Sequence, residues 1–469
     1  MDEALIARFA AIVGERYALR EPEDLTPFTS EPRGLFGGAT QLVLRPGTVE
    51  EVSRIMVLAT QTGTAIVPQG GNTGLVGGQM PDKSGNQIVL SLARLNRILD
   101  IDTHSNTATV EAGVILENLQ QAADAVDRMF PLALASQGSC EIGGNLSSNA
   151  GGVGALAYGV ARDLCLGVQV VLPTGEILDD LRKLKKDNTG YDLKNLFVGA
   201  EGTLGVITAA VVKLFPKPKG REIAWVGLAS AEAALDLFGR ANDAAGAGLT
   251  MFELSHRVPL EFTARHYPSP PCPVPLDYEW YVLMEISSGR SSEDARSLIE
   301  NILATAFEDE IVQDAAIAAN LSQAREFWQL RENIPEAQKP EGASIKHDIS
   351  VPVAAMPEFI ARGNEVVQGV CPGARPCCFG HMGDGNLHYN ISRPENYDNE
   401  AFLALYKPMN HAVHELVREM GGSFSAEHGI GILKRDELLA TAPPLSIDLM
   451  KRIKAAFDPA GIMNPGKVI

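Results

Sequence analysis

Two glycine-rich tracts constrain this chain of 469 residues more than any other feature. Residues 68–79, PQGGNTGLVGGQ, contain five glycines, and residues 136–160, SQGSCEIGGNLSSNAGGVGALAYGV, contain seven. Neither tract has a Lys, Arg or His. Glycine permits backbone conformations with positive φ, in which successive N–H groups point at one anion. The tracts therefore predict a phosphate site built from backbone amides, and the alternative is a pair of flexible surface loops.

Two common nucleotide-binding motifs match only in part. Residues 152–157, GVGALA, fit G-x-G-x-x-A, but a polar loop precedes them and Gly159 interrupts the helix that should follow. Residues 461–467, GIMNPGK, fit G-x-x-x-x-G-K, but Val468 replaces the required Ser or Thr. We therefore expect neither a Rossmann NAD site nor a Walker nucleotide site.

Charge and cysteine usage limit the class of protein. The chain has 40 Lys and Arg against 58 Asp and Glu, a formal net charge of −18, which argues against nucleic acid or an anionic membrane as a partner. No apolar run approaches the roughly 18 residues of a spanning helix, and residues 1–20 lack a signal or transit pattern. The six cysteines form no C-x-x-C pair and are typical of reduced thiols. These features predict a soluble, cytoplasmic, multidomain protein.

The order of elements predicts two main domains of mixed α and β structure. The sequence PKPKG at residues 216–220 reads as a stiff linker between them. Beyond it, strand, helix, strand, strand and helix follow over residues 222–306. This order is typical of an antiparallel sheet with helices on one face.

Histidines and a carboxylate predict a metal site. The sequence HMGDGNLH at residues 381–388 places two imidazoles around a Gly-Asp-Gly turn, which allows the chain to fold back and the rings to converge. Residues 427–431, EHGIG, add a carboxylate and a third histidine. Two His and one Glu with an open position form the ligand set of a catalytic divalent ion, most simply zinc. The alternative is a set of surface-loop histidines.

Other His and basic residues have ordinary interpretations when taken alone. His411 and His414 lie one turn apart on an amphipathic helix, where solvated or packing roles are expected. Arg331 and Lys346, each considered singly, are typical surface charges.

Six motifs together resemble one family. They are PQGGNTG, IGGNLSSNAGG, EGTLGVIT, GHMGDGNLHYN, SAEHGIG and FDPAGIMNPGK. The combination, over residues 40–469, resembles the FAD-dependent D-2-hydroxy-acid dehydrogenases of the vanillyl-alcohol-oxidase/p-cresol-methylhydroxylase-like superfamily, most of all the D-2-hydroxyglutarate dehydrogenases. Relatives in the superfamily include D-lactate dehydrogenases and glycolate oxidase subunits.

The resemblance implies an α+β fold in three parts. A p-cresol-methylhydroxylase-type FAD-binding domain of two subdomains would occupy residues 1–216, with its core at 38–216. A ferredoxin-like substrate domain with an antiparallel sheet would occupy residues 221–420, and a helical C-terminal segment at 421–469 would return to the flavin. The resemblance also implies a homodimer and an electron-transfer flavoprotein as electron acceptor.

The resemblance further implies FAD that is bound non-covalently, because neither tract has a His or Cys where such enzymes carry a covalent flavin link. The residues that match the family's FAD contacts are Pro68, Gly70, Gly71, Asn72, Thr73, Gly74, Gly138, Ser139, Ile142, Gly143, Gly144, Asn145, Gly152, Val206, Ile207 and Asn464.

The family's remaining site residues also have matches in this chain. His381, His388 and Glu427 match the metal ligands, and His428 matches the catalytic base. The substrate contacts match Arg331, Lys346 and Asn390.

These residues imply oxidation of a D-2-hydroxy acid to the 2-oxo acid by hydride transfer to FAD. Lys346 favours a dicarboxylate, D-2-hydroxyglutarate, because a second cation is useful only with a second carboxylate. Pro335 stands where the hydroxyglutarate enzymes have a Thr, so D-lactate, D-malate or glycolate stays an alternative. A zinc hydrolase would leave both glycine tracts unexplained, and a non-catalytic flavoprotein would not need the metal set.

Overall fold

The computed structural model describes residues 1–31 and 33–469 and divides into two compact units. The first unit comprises Met1–Gly151, Gly159–Pro216 and Glu427–Ile469. The second comprises Gly152–Tyr158 and Lys217–Ala426. The chain passes from the first unit to the second after Pro216, where the predicted linker begins.

Two segments lie in the second unit, although the expected domains placed them elsewhere. Residues 152–158 leave the first unit because the helix Ala155–Tyr158 contacts the strand Leu249–His256, and Leu156 packs against the core of the second unit. Residues 421–426 belong there because Ser350 and Ser423 exchange two backbone hydrogen bonds of 2.9 and 2.8 Å.

The first unit contains two main sheets. In its four-stranded sheet, three adjacent strands are parallel to one another, and the remaining edge strand, Ala18–Leu19, is antiparallel to its neighbour Val43–Leu44. In spatial order these strands are Ala18–Leu19, Val43–Leu44, Ile88–Ser91 and Ile66–Gln69. The second sheet is antiparallel throughout. Its five strands, in order, are Ile98–Asp102, Thr107–Glu111, Val206–Lys213, Cys165–Val171 and Ile177–Asp180. A separate pair joins Arg128–Met129 to Phe215–Pro216.

Helices cover these sheets. Val49–Thr62 begins where Thr48 Oγ1 accepts a hydrogen bond from the Glu51 N–H, 3.2 Å away, which is the usual N-cap arrangement. The Glu51 carboxylate accepts from the Gly47 N–H at 2.7 Å, one residue earlier than in the usual capping box. The other helices are Glu3–Val13, Glu15–Tyr17 (3-10), Pro22–Thr29, Leu116–Asp124, Ile142–Ser147, Ala161–Leu164, Lys194–Phe197, Arg435–Thr441 and Pro444–Phe457.

The C-terminal tail extends the parallel sheet of the first unit. The Ile66 N–H donates to the Ile462 carbonyl, and the Asn464 N–H donates to the Ile66 carbonyl, both at 2.8 Å. Met463 therefore lies beside Ile66 in parallel register, next to the strand that leads into the first glycine tract.

The second unit is built around a ferredoxin-like sheet. Four of its strands lie in the spatial order Val312–Ile317, Gly220–Leu228, Trp280–Ser288 and Leu249–His256. Each of these strands is antiparallel to its neighbours. Helices Ala231–Ala245 and Ser292–Glu308 make the crossovers. Four further strands extend the sheet, namely Arg375–His381, Asn386–Ser392, Ser344–Ile345 and Asp348–Ser350. The predicted α+β class with an antiparallel sheet is thus confirmed.

Side-chain alternation gives this sheet two buried faces. Ala224 and Val226 belong to one apolar cluster, whereas Ile223 and Trp225 belong to another. The second cluster contains Phe327 of the helix Leu321–Glu332, so helices cover both faces of the sheet. The sequence had predicted helices on one face only. The remaining helices of the unit are Ala155–Tyr158, Gly246–Gly248 (3-10), Arg257–His266, Ile334–Ala337, Val353–Ala355 (3-10), Met356–Val370, Met382–Asp384 (3-10), Asn399–Leu403 and Tyr406–Glu419.

Two further expectations concern the whole chain. Among the described residues, no helix has the length and apolar character needed to span a bilayer. All six cysteines are free thiols, and five of them are buried.

The two glycine tracts approach each other closely in the first unit. A Cβ on Gly71 would lie 1.9 Å from the carbonyl oxygen of Ser139. A Cβ on Gly143, in the second tract, would lie 2.7 Å from the Cβ of Ala112 and 3.1 Å from its carbonyl oxygen. Any side chain at these positions would force the backbones apart, so both contacts require glycine.

We therefore expect Gly71→Ala to destabilise the first unit by about 1–3 kcal/mol through overpacking. Thermal unfolding would measure the change as a lower Tm. Gly239→Ala is the control, because a Cβ there meets nothing within 4 Å in the helix Ala231–Ala245. An unchanged Tm for Gly71→Ala would contradict the close approach.

Candidate active site

A cleft in the first unit is lined by both glycine tracts. Its empty space is about 890 Å³, which includes solvent at its open mouth. Most of the predicted FAD contacts line it, together with the predicted base His428. They are Pro68, Gly70, Gly71, Asn72, Thr73, Gly74, Gly143, Gly144, Asn145, Val206 and Ile207.

Five predicted FAD contacts lie outside this lining. Gly138, Ser139 and Ile142 are not among the lining residues, and Gly152 belongs to the second unit. Asn464 is buried, and its Nδ2 donates to the carbonyls of Gly78 and Glu201 at 2.8 and 2.9 Å. Asn464 thus joins two loops that line the cleft, and its Oδ1 is buried without a hydrogen-bond partner.

The sequence interpretation also missed residues that line the cleft. Those missed are Gln69, Val76, Gly78, Gln79, Leu92, Ala112, Cys140, Glu141, Ser147, Ser148, Glu201, Gly202 and Gly205. The sequence could have indicated Glu141 as a site residue, because it is the only charged residue of the second tract.

The polar atoms of the cleft fit a hydroxyl- and amide-rich cofactor. Four buried side-chain oxygens in the lining have no hydrogen-bond partner, on Gln69, Asn72, Glu141 and Asn145. Buried polar atoms are normally paired, so these acceptors call for donors from a bound molecule. Among the residues that the structure describes, no Lys or Arg lines the cleft, which leaves backbone amides to bind phosphate.

The buried carboxyl of Glu141 has a raised pKa. Burial raises the pKa of its carboxyl from 4.5 to about 7, although Arg45 partly offsets this effect. The carboxyl is therefore largely protonated in mildly acidic solution and can donate as well as accept a hydrogen bond.

The loop that carries His428 is held by Glu201. The Glu201 carboxylate accepts hydrogen bonds from the N–H groups of Ile430 and Gly431, at 2.7 and 2.8 Å. Burial raises the pKa of Glu201, while these two N–H donors lower it. The residue also has a positive φ of 51°, a conformation that L-residues rarely adopt. In the first unit His428 is thus part of the cleft lining on a firmly anchored loop, and Glu427 precedes it.

In the second unit a hairpin brings the two other predicted histidine ligands together. Strands Arg375–His381 and Asn386–Ser392 are joined through a turn that ends at Gly385, whose φ is +86°. The ring centroids of His381 and His388 lie 5.3 Å apart.

Glu253 connects this hairpin to Arg331. Its Oε1 lies 2.6 Å from His381 Nδ1, and its Oε2 accepts from Arg331 Nε at 2.9 Å and pairs with Nη2 at 2.8 Å. Burial alone would raise the pKa of Glu253, but His381 and Arg331 hold it at about 2. Arg331 is buried, so it is not the surface charge that its isolated position suggests.

The other predicted residues of the second unit have mixed positions. Lys346 is exposed in the short break between Ser344–Ile345 and Asp348–Ser350. Asn390 is buried, and its Nδ2 donates to Gln338 Oε1 at 2.8 Å. Its Oδ1 can therefore accept a hydrogen bond from a substrate.

His411 and His414 have the exposed and packing positions that the sequence predicts. His414 is buried against His347, with ring centroids 5.3 Å apart, whereas the side chain of His411 is 74% exposed.

Comparison with known proteins identifies both parts of the chain. Residues 40–180 match the family model for the FAD binding domain, and residues 217–468 match that for the C-terminal domain of FAD linked oxidases. The mitochondrial D-2-hydroxyglutarate dehydrogenase of Arabidopsis thaliana is 36% identical over 469 residues, covering 100% of this chain and 82% of the relative. The mitochondrial enzyme of the same name from Danio rerio is 38% identical over 437 residues, covering 92% and 79%.

A solved structure supports the fold. A p-cresol methylhydroxylase with substrate bound has a TM-score of 0.76 at 16% identity, over 99% of this chain and 96% of that one. At this identity the likeness establishes the p-cresol-methylhydroxylase-type fold alone.

The expected cytoplasmic location is wrong on this comparison, because both relatives are named as mitochondrial enzymes. The expectation rested on acidic charge and unpaired cysteines. Those properties do not distinguish one thiol-reducing compartment from another.

The raised pKa of Glu141 predicts a pH dependence of stability. Because the folded protein holds this proton up to about pH 7 and the unfolded chain releases it near 4.5, the free energy of unfolding should fall across that interval, by up to about 3 kcal/mol. Glu141→Gln removes the titration and should therefore gain stability relative to wild type as the pH rises from 5 to 8. Urea denaturation of the two FAD-free proteins measures this difference. A difference that is constant with pH would contradict the assignment.

Two family models and two relatives of nearly full coverage agree with a cleft whose lining suits a polar, phosphate-bearing cofactor. The chain therefore belongs to the FAD-linked oxidases and, within them, to the FAD-dependent D-2-hydroxy-acid dehydrogenases.

Proposed function

We propose that the protein oxidises D-2-hydroxyglutarate to 2-oxoglutarate. The observation that carries this proposal is the 36–38% identity, over nearly the whole chain, to two enzymes named for that substrate. The chain's own residues support it, because a buried arginine lies beside the paired histidines of the second unit.

In this proposal FAD occupies the cleft of the first unit without a covalent link. The glycine backbone binds the pyrophosphate, and the unpaired oxygens of Gln69, Asn72 and Asn145 accept hydrogen bonds from the cofactor. Neither tract has a His or Cys at the position where related enzymes carry a covalent flavin link. When bound, FAD supplies the hydride acceptor for the reaction.

We further infer that His381, His388 and Glu427 hold a divalent metal ion, which the ligand set suggests is zinc. The contact between His381 Nδ1 and Glu253 supports this, since it leaves Nε2 as the ligand atom, as is usual for metal-bound histidine. When bound, the ion lowers the pKa of the substrate hydroxyl.

Arg331, Lys346 and Asn390 would bind the substrate. The buried guanidinium of Arg331 is oriented by Glu253 and pairs with a carboxylate, and the exposed ammonium of Lys346 pairs with the other carboxylate. The free side-chain oxygen of Asn390 accepts a hydrogen bond.

Pro335 favours a second candidate substrate class within the same reaction. Where the hydroxyglutarate enzymes have a Thr, Pro335 provides no hydroxyl for the distal carboxylate. D-lactate and glycolate have no distal carboxylate, and that of D-malate lies one methylene nearer the hydroxyl carbon, so each is a competing substrate. A zinc hydrolase is not supported, since it gives no reason for the FAD binding domain.

His428 would accept the proton of the substrate hydroxyl. The hydride would leave the carbon that bears this hydroxyl for the acceptor that FAD supplies when bound. General-base catalysis of this kind contributes a factor of roughly 10²–10⁴. The Glu201 carboxylate supports this role, because it fixes the loop on which His428 lies.

Turnover would also require an acceptor for the electrons that bound FAD takes up. We infer an electron-transfer flavoprotein as the acceptor and a homodimer as the assembly, and both inferences rest on the family resemblance.

His428→Gln should keep the visible flavin band but slow flavin reduction by D-2-hydroxyglutarate by about 10²–10⁴-fold, because the hydroxyl proton has no acceptor. Anaerobic stopped-flow absorbance at the flavin band measures this rate. His411→Gln, which changes an exposed histidine, is the matched control and should reduce at the wild-type rate. Wild-type reduction by His428→Gln would remove this residue from the mechanism.

A further inference from the structure

We propose that Glu253 is a positioning residue that couples metal binding to substrate binding, because one buried carboxylate holds both His381 and Arg331. This inference rests on the proposed function for the roles of those two side chains. The carboxylate itself has no match among the site residues that the family resemblance supplied.

The sheet register places Glu253 directly beside His381. The two residues are opposite partners in the antiparallel pair formed by Leu249–His256 and Arg375–His381. Directly opposed residues have Cβ atoms about 4.5–5.5 Å apart, so their side chains meet without long reach. Glu253 is 2% exposed and His381 6% exposed, and water therefore competes little for this contact.

Arg331 reaches the same carboxylate from the last turn of the helix Leu321–Glu332. Its guanidinium also lies over the ring of Phe379, 4.9 Å from the centroid. Phe379 stands two residues before His381 on the same strand, so both side chains point to the same face of the sheet. The guanidinium is thus fixed by a carboxylate on one side and an aromatic face on the other.

Each oxygen of Glu253 has a separate task. Oε1 accepts the proton on His381 Nδ1, which fixes the tautomer and directs the Nε2 lone pair away from Glu253. Oε2 takes Nε and Nη2 of Arg331, which fixes the plane of the guanidinium. Removing the carboxylate would therefore release a metal ligand and a substrate-binding cation together.

Stability alone gives a weak reason for this arrangement. Replacing a buried ion pair by apolar side chains is often neutral or stabilising. The same unit contains a second buried carboxylate with similar partners, Glu341, which contacts Arg265, His266 and Arg375. Within the described part of the chain, the side-chain polar contacts of Glu341 are with these three residues and not with the hairpin histidines or the predicted substrate residues, so Glu341 provides a matched control.

The test compares Glu253→Gln and Glu341→Gln, both as FAD-loaded protein stripped of metal and then titrated with Zn²⁺ against a chromogenic chelator. Glu253→Gln should weaken zinc binding by about 10–100-fold, the usual effect of losing a carboxylate behind a metal-bound histidine. It should also raise KM for D-2-hydroxyglutarate about tenfold or more, since Arg331 loses its charged partner. The flavin absorbance per chain should not change, and Glu341→Gln should alter neither value more than about twofold.

Two outcomes would overturn the inference. One is wild-type zinc affinity in Glu253→Gln, and the other is an equal loss in Glu341→Gln, which would indicate a general structural effect. If Glu253→Gln does not fold, Glu253→Asp replaces it. Asp keeps the charge but is one methylene shorter, so it cannot hold both partners and should also weaken zinc binding.

The wild-type protein separates this inference from the proposed function. If it binds zinc but D-2-hydroxyglutarate does not reduce its flavin, the proposed substrate is wrong, and the zinc affinities still decide the role of Glu253. If it oxidises D-2-hydroxyglutarate but binds no zinc, the proposed reaction stands and the inference about Glu253 is overturned.

Discussion

The first unit depends on one close approach, in which the backbone of Gly71 lies against the carbonyl of Ser139. Only glycine permits it, and it brings two tracts without basic side chains together around one cleft. An acidic protein can in this way bind a doubly charged pyrophosphate through amide dipoles, without clustered Lys or Arg. The C-terminal tail, paired beside Ile66, and Asn464, bonded to two loop carbonyls, support the same walls.

Local patterns predicted much of the fold, and contacts distant in sequence account for what they missed. Apolar periodicity predicted the order of strands and helices over residues 222–306 of the second unit. They did not predict that residues 152–158 leave the first unit, because this depends on Leu156 packing where Gly383 has no side chain. Nor did they predict that residues 421–426 join the second unit, which depends on the pairing of Ser423 with Ser350.

The candidate site shows the same division. Glycine density indicated the cleft, and the Gly-Asp-Gly turn indicated that His381 and His388 meet. Family resemblance alone selected Arg331. The acids Glu141, Glu201 and Glu253 were missed, because the role of a carboxylate depends on its burial and partners. Burial raises the pKa of Glu141 to about 7, with Arg45 only partly opposing this effect, whereas contacts with His381 and Arg331 lower the pKa of Glu253 to about 2.

This chain uses FAD to oxidise a D-2-hydroxy acid, and we propose that the acid is a dicarboxylate. The most direct test is the anaerobic visible spectrum of the purified, FAD-loaded protein, recorded before and after addition of D-2-hydroxyglutarate. We expect the flavin band to bleach with this acid and far less with D-lactate or the L-isomer. A flavin band that is unchanged by D-2-hydroxyglutarate but bleaches with D-lactate would contradict the dicarboxylate assignment.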